Sequence, residues 1–221
     1  MKELSDMNVV VIGANGQIGK HLVNQLHAHE QHEVTAMVRK EGQKKELEDR
    51  GIQAVLVDLE GSISELESAI RDADAVVFTA GSGGHTGPDK TLLIDLDGAV
   101  KSIEAAKNAN VNRFVMVSAF QAHNRDSWAD SPIKPYMVAK HFADETLMQS
   151  GLDYTIVRPG GLQNEPGTGK VLAGENLERG SIPREDVAAT IVEALEAPNT
   201  YQKGFDLITG VDTISDAIEK I

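Results

Sequence analysis

The chain has 221 residues, 41% of them hydrophobic, and a formal net charge of −13, enough for one large α/β domain or two small ones with a sizeable core. The acidic balance leaves no basic excess to displace counterions from phosphates, which argues against a general nucleic-acid role, and the lack of cysteine excludes disulfides, thiolate catalysis and cysteine metal sites and suits a reducing cytosol. Residues 1–6 are polar and mixed in charge, and no apolar run approaches a signal peptide or a membrane span, so the expectation is a cytoplasmic protein with no nucleic-acid or membrane partner.

The chain opens with a β-branched run, residues 9–12, that has no polar face and suits a parallel strand buried on both sides. It breaks into Gly13-Ala14-Asn15-Gly16-Gln17-Ile18-Gly19, followed by apolar residues at helical spacing (Ile18, Leu22, Val23, Leu26). Strand, glycine turn and helix make an anion site, because free N–H groups point outward at the helix start and the helix dipole adds about half a positive charge there. Gly13 permits the turn, Gly16 lets backbone approach a pyrophosphate, and Gly19 lets the helix pack close to the strand. The position of the triplet, between a first strand and a first helix, points to dinucleotide binding by residues Gly13, Ala14, Asn15, Gly16, Gln17 and Ile18. The helix is expected to run to about His27. His21, His27, His29 and His32 then follow closely, but no carboxylate is spaced to complete a ligand set, so no metal is expected.

Residues 33–38 read as a second strand ending in Arg39-Lys40. In a dinucleotide fold this tip lies beside the adenosine ribose, where an acid favours NAD. Two cations stand there instead. Arg39 suits a bidentate grip on a 2′-phosphate and Lys40 adds a point charge, so NADP is expected over NAD. A charged surface helix over 43–50 and a third strand over 54–58 follow, ending in Asp58-Leu59; the carboxylate either meets the adenine amino group or caps the next helix. That helix opens at Ser62 or Ser64 and runs through Ile70. A fourth strand, 75–79, breaks into Ala80-Gly81-Ser82-Gly83-Gly84, a second glycine cluster expected to line the far side of the cofactor cleft. A long helix over 90–108 is interrupted by Gly98, which costs about 1 kcal/mol relative to alanine and suggests close backbone packing.

A fifth strand, 113–117, has Ser118 at its carboxyl end. A polar loop over 121–131 carries the only tryptophan, Trp128, and Pro135 opens a helix containing Tyr136 and Lys140. These two lie four apart and share one helix face. A tyrosine with an ordinary pKa near 10 is a poor base at neutral pH; a nearby ammonium stabilises the phenolate and brings its pKa closer to the working pH. Ser118 is placed to donate a hydrogen bond to a substrate oxygen as charge develops there. The expected catalytic set is Ser118, Tyr136 and Lys140. A sixth strand, 154–158, closes in Pro159-Gly160-Gly161; residues 162–180 are glycine-rich and poorly patterned; a helix from Pro183 through Leu195, a last strand over 203–209 and a short helix over 212–221 end the chain. The expectation is one domain over 1–221, a doubly wound α/β Rossmann fold with a mostly parallel central sheet and a small substrate-side extension at about 160–182.

In their order along the chain, Gly13-Ala14-Asn15-Gly16-Gln17-Ile18-Gly19, Arg39, Asp58-Leu59, Thr79-Ala80-Gly81, Val117-Ser118-Ala119, Tyr136-Met137-Val138-Ala139-Lys140 and Val157-Arg158-Pro159-Gly160 resemble a short-chain dehydrogenase/reductase of the atypical or extended-like branch, close to bacterial epimerase/dehydratase-like oxidoreductases. The resemblance covers about residues 8–161. It implies that Lys140 also holds the nicotinamide ribose, Tyr136 is the acid/base and Ser118 orients substrate, with Pro159, Gly160 and Leu162 against the nicotinamide end. The chain departs from the pattern where extended members often carry an Asn in the long helix; Asp95-Leu96-Asp97-Gly98-Ala99 stands there, which puts a proton relay through that position in doubt. The serine-to-tyrosine spacing is also longer than in the best-known short members.

The expected function is therefore NADP(H)-dependent hydride transfer to or from a small carbonyl or alcohol substrate. The alternative is a non-catalytic NADP(H)-binding regulator or redox sensor, like atypical relatives resembling the nitrogen-metabolite repressor. A nucleotide-sugar epimerase or dehydratase fits less well, since only about sixty residues follow Pro159. The resemblance allows a homo-oligomer, paired through helices on the outer sheet face; the sequence does not decide it.

Overall fold

The computed structural model describes residues 7–29 and 31–221; residues 1–6 lie outside the described part. Seven strands form a parallel sheet in the order β3 (Gln53–Leu56), β2 (His32–Val38), β1 (Met7–Ile12), β4 (Ala75–Phe78), β5 (Arg113–Val117), β6 (Asp153–Pro159) and β10 (Lys203–Thr209). The strand order reverses between β1 and β4, which puts the crevice for a ligand above their carboxyl ends. Alternation along β1 explains its lack of a polar face. Val9 and Val11 pack on one side of the sheet and Val10 and Ile12 on the other, all buried.

Helices α1 (Gln17–Ala28), α7 (Arg184–Leu195) and α8 (Ile214–Glu219) cover the first face, where Leu22, Leu26, Ile191 and Leu195 are fully buried. Helices α3 (Ile63–Ile70), α5 (Gly98–Asn108) and α6 (Lys134–Met148) cover the second, over Leu66, Ile70, Phe78, Phe114 and Leu147. Fully burying a leucine or phenylalanine side chain is worth roughly 1.5–3 kcal/mol, so these two apolar layers fix the sheet that carries the crevice. The charged α2 (Glu41–Glu48) buries none of its side chains. Ser62, the first of the two candidate serines, caps α3 through a full capping box with Glu65.

Two stretches differ from the sequence reading. The long helix is continuous but not uniform: α4 (Pro88–Lys90) leads into a π-helical segment, Thr91–Asp97, and then α5. Gly98 stands at that junction, and a Cβ there meets the Leu59 side chain and the Leu93 carbonyl, each at 3.5 Å, ordinary contacts, so tight packing does not explain the glycine. The glycine-rich region after β6 contains β7 (Gly161–Gln163), β8 (Lys170–Gly174) and β9 (Ser181–Pro183). Strands β7 and β9 pair as a separate two-stranded ribbon, while β8 joins the main sheet antiparallel to β10 and is followed at the edge by β11 (Asp212–Thr213). Apolar alternation in β8 is too short to stand out. Its side chains are set by the neighbouring β10, which a local pattern does not reveal.

Candidate active site

The glycine turn sits at the crevice. Gly13 has φ +85°, the left-handed region, and a Cβ there would stand 2.6 Å from the Ala80 nitrogen. The turn thus meets the second glycine cluster directly, and only glycine allows both the angle and the approach. Gly19 is held just as closely, with a Cβ position 2.3 Å from the Gly13 oxygen. Gly16 caps α1 and its N–H donates to the Gly13 oxygen at 2.9 Å. Asn15, Gly16 and Gln17 are exposed, whereas the Ala14 and Ile18 side chains are buried in the core; these two offer a ligand their backbone alone. The turn presents bare backbone and the free N–H groups of a helix start, which is what a diphosphate requires.

Arg39 and Lys40 follow β2 and are exposed. The register pairs Ile12 with Met37, so Arg39 emerges beside the glycine turn. Among the described residues neither cation has an acidic partner within ion-pair distance. Asp58 is also exposed; its Oδ1 accepts the Glu60 N–H at 2.9 Å, a local turn, and Ser62 rather than Asp58 caps α3. Leu59 is half-buried and packs with the second-face core against Gly98. At the end of β6, Pro159 is buried while Leu162, in β7, is exposed.

Helix α6 brings the chemistry-bearing side chains together. Tyr136, Lys140 and Asp144 are spaced by four, so they line one face. The Lys140 Nζ lies 5.7 Å from the centre of the Tyr136 ring and 6.0 Å from that of Phe78, at the end of β4. It donates to the Val117 carbonyl at 3.4 Å and lies 3.4 Å from Asp95 Oδ1. Both partners are almost completely buried, at 4% and 1% exposure. Asp95 Oδ2 accepts the Ser82 N–H at 3.0 Å. The segment 80–82 thus lies between Gly13 and Asp95, and Asp95 pairs with Lys140 beside the Tyr136 ring.

Beneath it lies a second buried pair. Arg158 Nε donates to Asp144 Oδ2 at 2.8 Å. Ser118 is buried against this pair, and its hydroxyl helps hold the Asp144 carboxyl down, although Ser118 Oγ and Asp144 Oδ1 make no hydrogen bond of full geometry. Burial nevertheless pushes the Asp144 carboxyl above the usual carboxylate range, against the pull of Arg158.

Lys140 was expected to lower the Tyr136 pKa. Instead burial is the largest effect and drives the phenol above its ordinary value; Lys140 opposes this, while Asp95 and Asp144 reinforce it. Trp128 is buried with Ala119, Ala122 and Met137, its indole N–H donates to the Ala122 carbonyl at 3.3 Å, and Tyr136 packs against this cluster. The tryptophan therefore shapes the loop that seats Tyr136. This loop is joined to the one after β8: buried Asp206 accepts the Gln121 N–H at 2.9 Å and the Leu177 N–H at 3.3 Å, and Gln121 Nε2 donates to the Leu177 carbonyl at 2.7 Å.

Asp95, Asp144 and Arg158 were not among the expected site residues. The i, i+4, i+8 spacing of Tyr136, Lys140 and Asp144 was a usable signal; the meeting of Asp144 with Arg158 across 14 positions was not. The histidine group also gains a carboxylate that sequence spacing did not offer. His32 Nε2 lies 2.9 Å from Glu196 Oε1, with His29 alongside. The His29 and His32 rings stack at 4.5 Å and 13°, and one ligand atom from each of His29, His32 and Glu196 lies within 4.8 Å of the other two.

Residues 13–198 match the model of a family described as NAD(P)H-binding. The chain belongs to this NAD(P)H-binding, oxidoreductase-like family. It is 56% identical over 215 residues to the uncharacterized sugar epimerase YhfK of Bacillus subtilis, covering 97% of this chain and 100% of that one. A solved structure of a putative NAD-dependent epimerase/dehydratase from Bacillus halodurans superposes with a TM-score of 0.89 at 43% identity, over 97% and 100% of the two chains. More distant structural neighbours include ChuY, an anaerobillin reductase from Escherichia coli O157:H7, at 28% identity and a TM-score of 0.77 over 91% and 97% of the chains. Sanguinarine reductase from Eschscholzia californica is 28% identical over 96% of this chain and 92% of its own length. The family fits the bare-backbone turn. Among the described residues no helix is long and apolar enough to cross a membrane.

Proposed function

We propose that this protein is an NADP(H)-dependent oxidoreductase of the short-chain dehydrogenase/reductase type, acting on a small carbonyl or alcohol in the cytoplasm. The observation that carries the reading is the placement of Tyr136 beside Lys140, 5.7 Å from ring centre to Nζ, joined through Asp95 and Ser82 to the glycine turn. A bound nicotinamide supplies or accepts the hydride. The chain's own residues handle position and charge: the turn at 13–18 holds the diphosphate, Arg39 and Lys40 take the 2′-phosphate, Lys140 holds the ribose and Tyr136 exchanges the proton with the substrate oxygen. Ser118 orients that oxygen. Two relatives named as reductases support this class of chemistry.

The test is a screen of small carbonyl compounds for oxidation of NADPH, repeated with Tyr136→Phe. Turnover by the native chain, lost in the variant with NADPH affinity nearly intact, is the expected result; unchanged turnover in the variant removes the acid/base role. A second reading, a non-catalytic NADP(H)-binding regulator, draws on the burial of Ser118 against Asp144. It predicts tight NADPH binding with no turnover of any carbonyl in the screen.

A further inference from the structure

We infer that Asp95 is a positioning residue that clamps the Lys140 ammonium and withholds it from the Tyr136 phenol, so that the proton held at Tyr136 is set by this carboxylate as well as by the ammonium. The inference rests on the oxidoreductase reading above and adds a residue to its machinery.

The argument starts from a count of buried charge. Four ionisable groups face Tyr136 or the residues behind it: Lys140 and Asp144 on its own helix, Asp95 on the π-helical segment, and Arg158 on β6. Lys140 and Asp95 are 4% and 1% exposed, and Arg158 and Asp144 are 4% and 0% exposed. Two cations and two anions cancel. Each cation already has an anion of its own, at 3.4 Å for Lys140 and 2.8 Å for Arg158. A phenolate at Tyr136, a half-buried side chain, would therefore be an unbalanced negative charge beside two ion pairs that are already neutral, and even partial burial of such a charge is costly. With an uncharged residue at 95 the Lys140 ammonium would be free to stabilise that phenolate. The raised phenol pKa, with Asp95 among its causes, agrees with this geometry.

The local backbone is shaped around the carboxylate. Asp95 lies in the middle of the seven-residue π-helical segment, a conformation that is rare and frequently found at functional sites. Its two oxygens divide their work, Oδ1 toward Lys140 and Oδ2 to the Ser82 N–H. Gly81 leaves the room this needs, since a Cβ there would stand 3.0 Å from Oδ1. One side chain therefore ties the loop that lines the cofactor crevice to the ammonium beside the phenol.

Tyrosine ionisation reads this without any substrate. The protein labelled with 13C at tyrosine Cζ is titrated by NMR, with Tyr136→Phe identifying the signal and Tyr154 and Tyr201 as internal references. In the native chain the Tyr136 midpoint is expected above the ordinary value of about 10. In Asp95→Asn, which keeps an oxygen for the Ser82 N–H, the midpoint is expected roughly one pH unit lower, so that the phenolate fraction at pH 10 rises several-fold. Asp95→Glu, which restores the charge, returns it toward the native value. A purely structural Asp95 would change melting temperature and leave the midpoint where it was. A native midpoint below 10, or equal midpoints in the native chain and Asp95→Asn, overturns the inference; should Asp95→Asn fail to fold, Asp95→Ser, which also removes the charge, is titrated in its place and decides by the same comparison. NADPH binding, measured separately, tests the oxidoreductase reading, and its failure would leave the titration result standing.

Discussion

Replacing Arg39 with alanine should separate the two nicotinamide coenzymes. Arg39 leaves the end of β2 exposed, one strand away from the glycine turn, with no acidic partner within ion-pair distance among the described residues. Its guanidinium is therefore available to a phosphate without first breaking an internal pair. A hydrogen bond to a charged group contributes about 1.5–3 kcal/mol, and the exposed position with screening by salt favours the lower half of that range. At about 2 kcal/mol, NADPH affinity falls roughly 30-fold in Arg39→Ala. NADH has no 2′-phosphate, and its affinity should change by less than about threefold. Calorimetric titration of both coenzymes at one fixed ionic strength measures the ratio. Equal losses for the two would refute the assignment and would point instead to a general weakening of the crevice.

Three other outcomes follow from the same structure. Tyr136→Phe should abolish NADPH-linked turnover while changing NADPH affinity little, as steady-state rates and calorimetry together report. Gly13→Ala places a side chain in the left-handed region against the Ala80 backbone; the strain and the overlap together cost about 3 kcal/mol, a fall in melting temperature of roughly 6–12 °C for a chain of this size, and a melting point within 1 °C of native would contradict that. Burial holds the His32 pKa below its ordinary 6.5 despite Glu196. The unfolded chain therefore takes up the proton first, and the stability linked to His32 is complete above about pH 6.5 and lost as pH falls toward the lower folded value. His32→Gln should accordingly flatten the acid side of the melting-temperature profile, and parallel profiles would show that His32 has no such linkage.

Much of the fold was legible because its signals are local. The β-branched run at 9–12 and the glycine spacing after it require no knowledge of partners, and β5 and β10 fall at the expected positions, Arg113–Val117 and Lys203–Thr209. β8 was missed because five residues beside a glycine-rich loop become a strand only through pairing with β10. The candidate site shows the same division. Tyr136 and Lys140 were found from spacing along one helix. The ammonium lowers the phenol pKa as expected, but the net shift is upward, since it is set by burial and also by Asp95, 45 positions before Lys140. Asp95 had been noticed only as a departure from a pattern. The burial of Trp128 on Ala122 and Met137 could not be read from a polar loop, since it depends on partners from the following helix.

The buried carboxylate of Asp206 has a consequence for how this scaffold could acquire new substrates. By holding the backbone at Gln121 and Leu177 together, it makes the two loop segments a single mechanical part. Trading the sequence of one segment alone would leave its neighbour braced against a shape that no longer exists. Laboratory recombination should therefore succeed when both segments are exchanged as a cassette, with the strand that carries Asp206 left untouched.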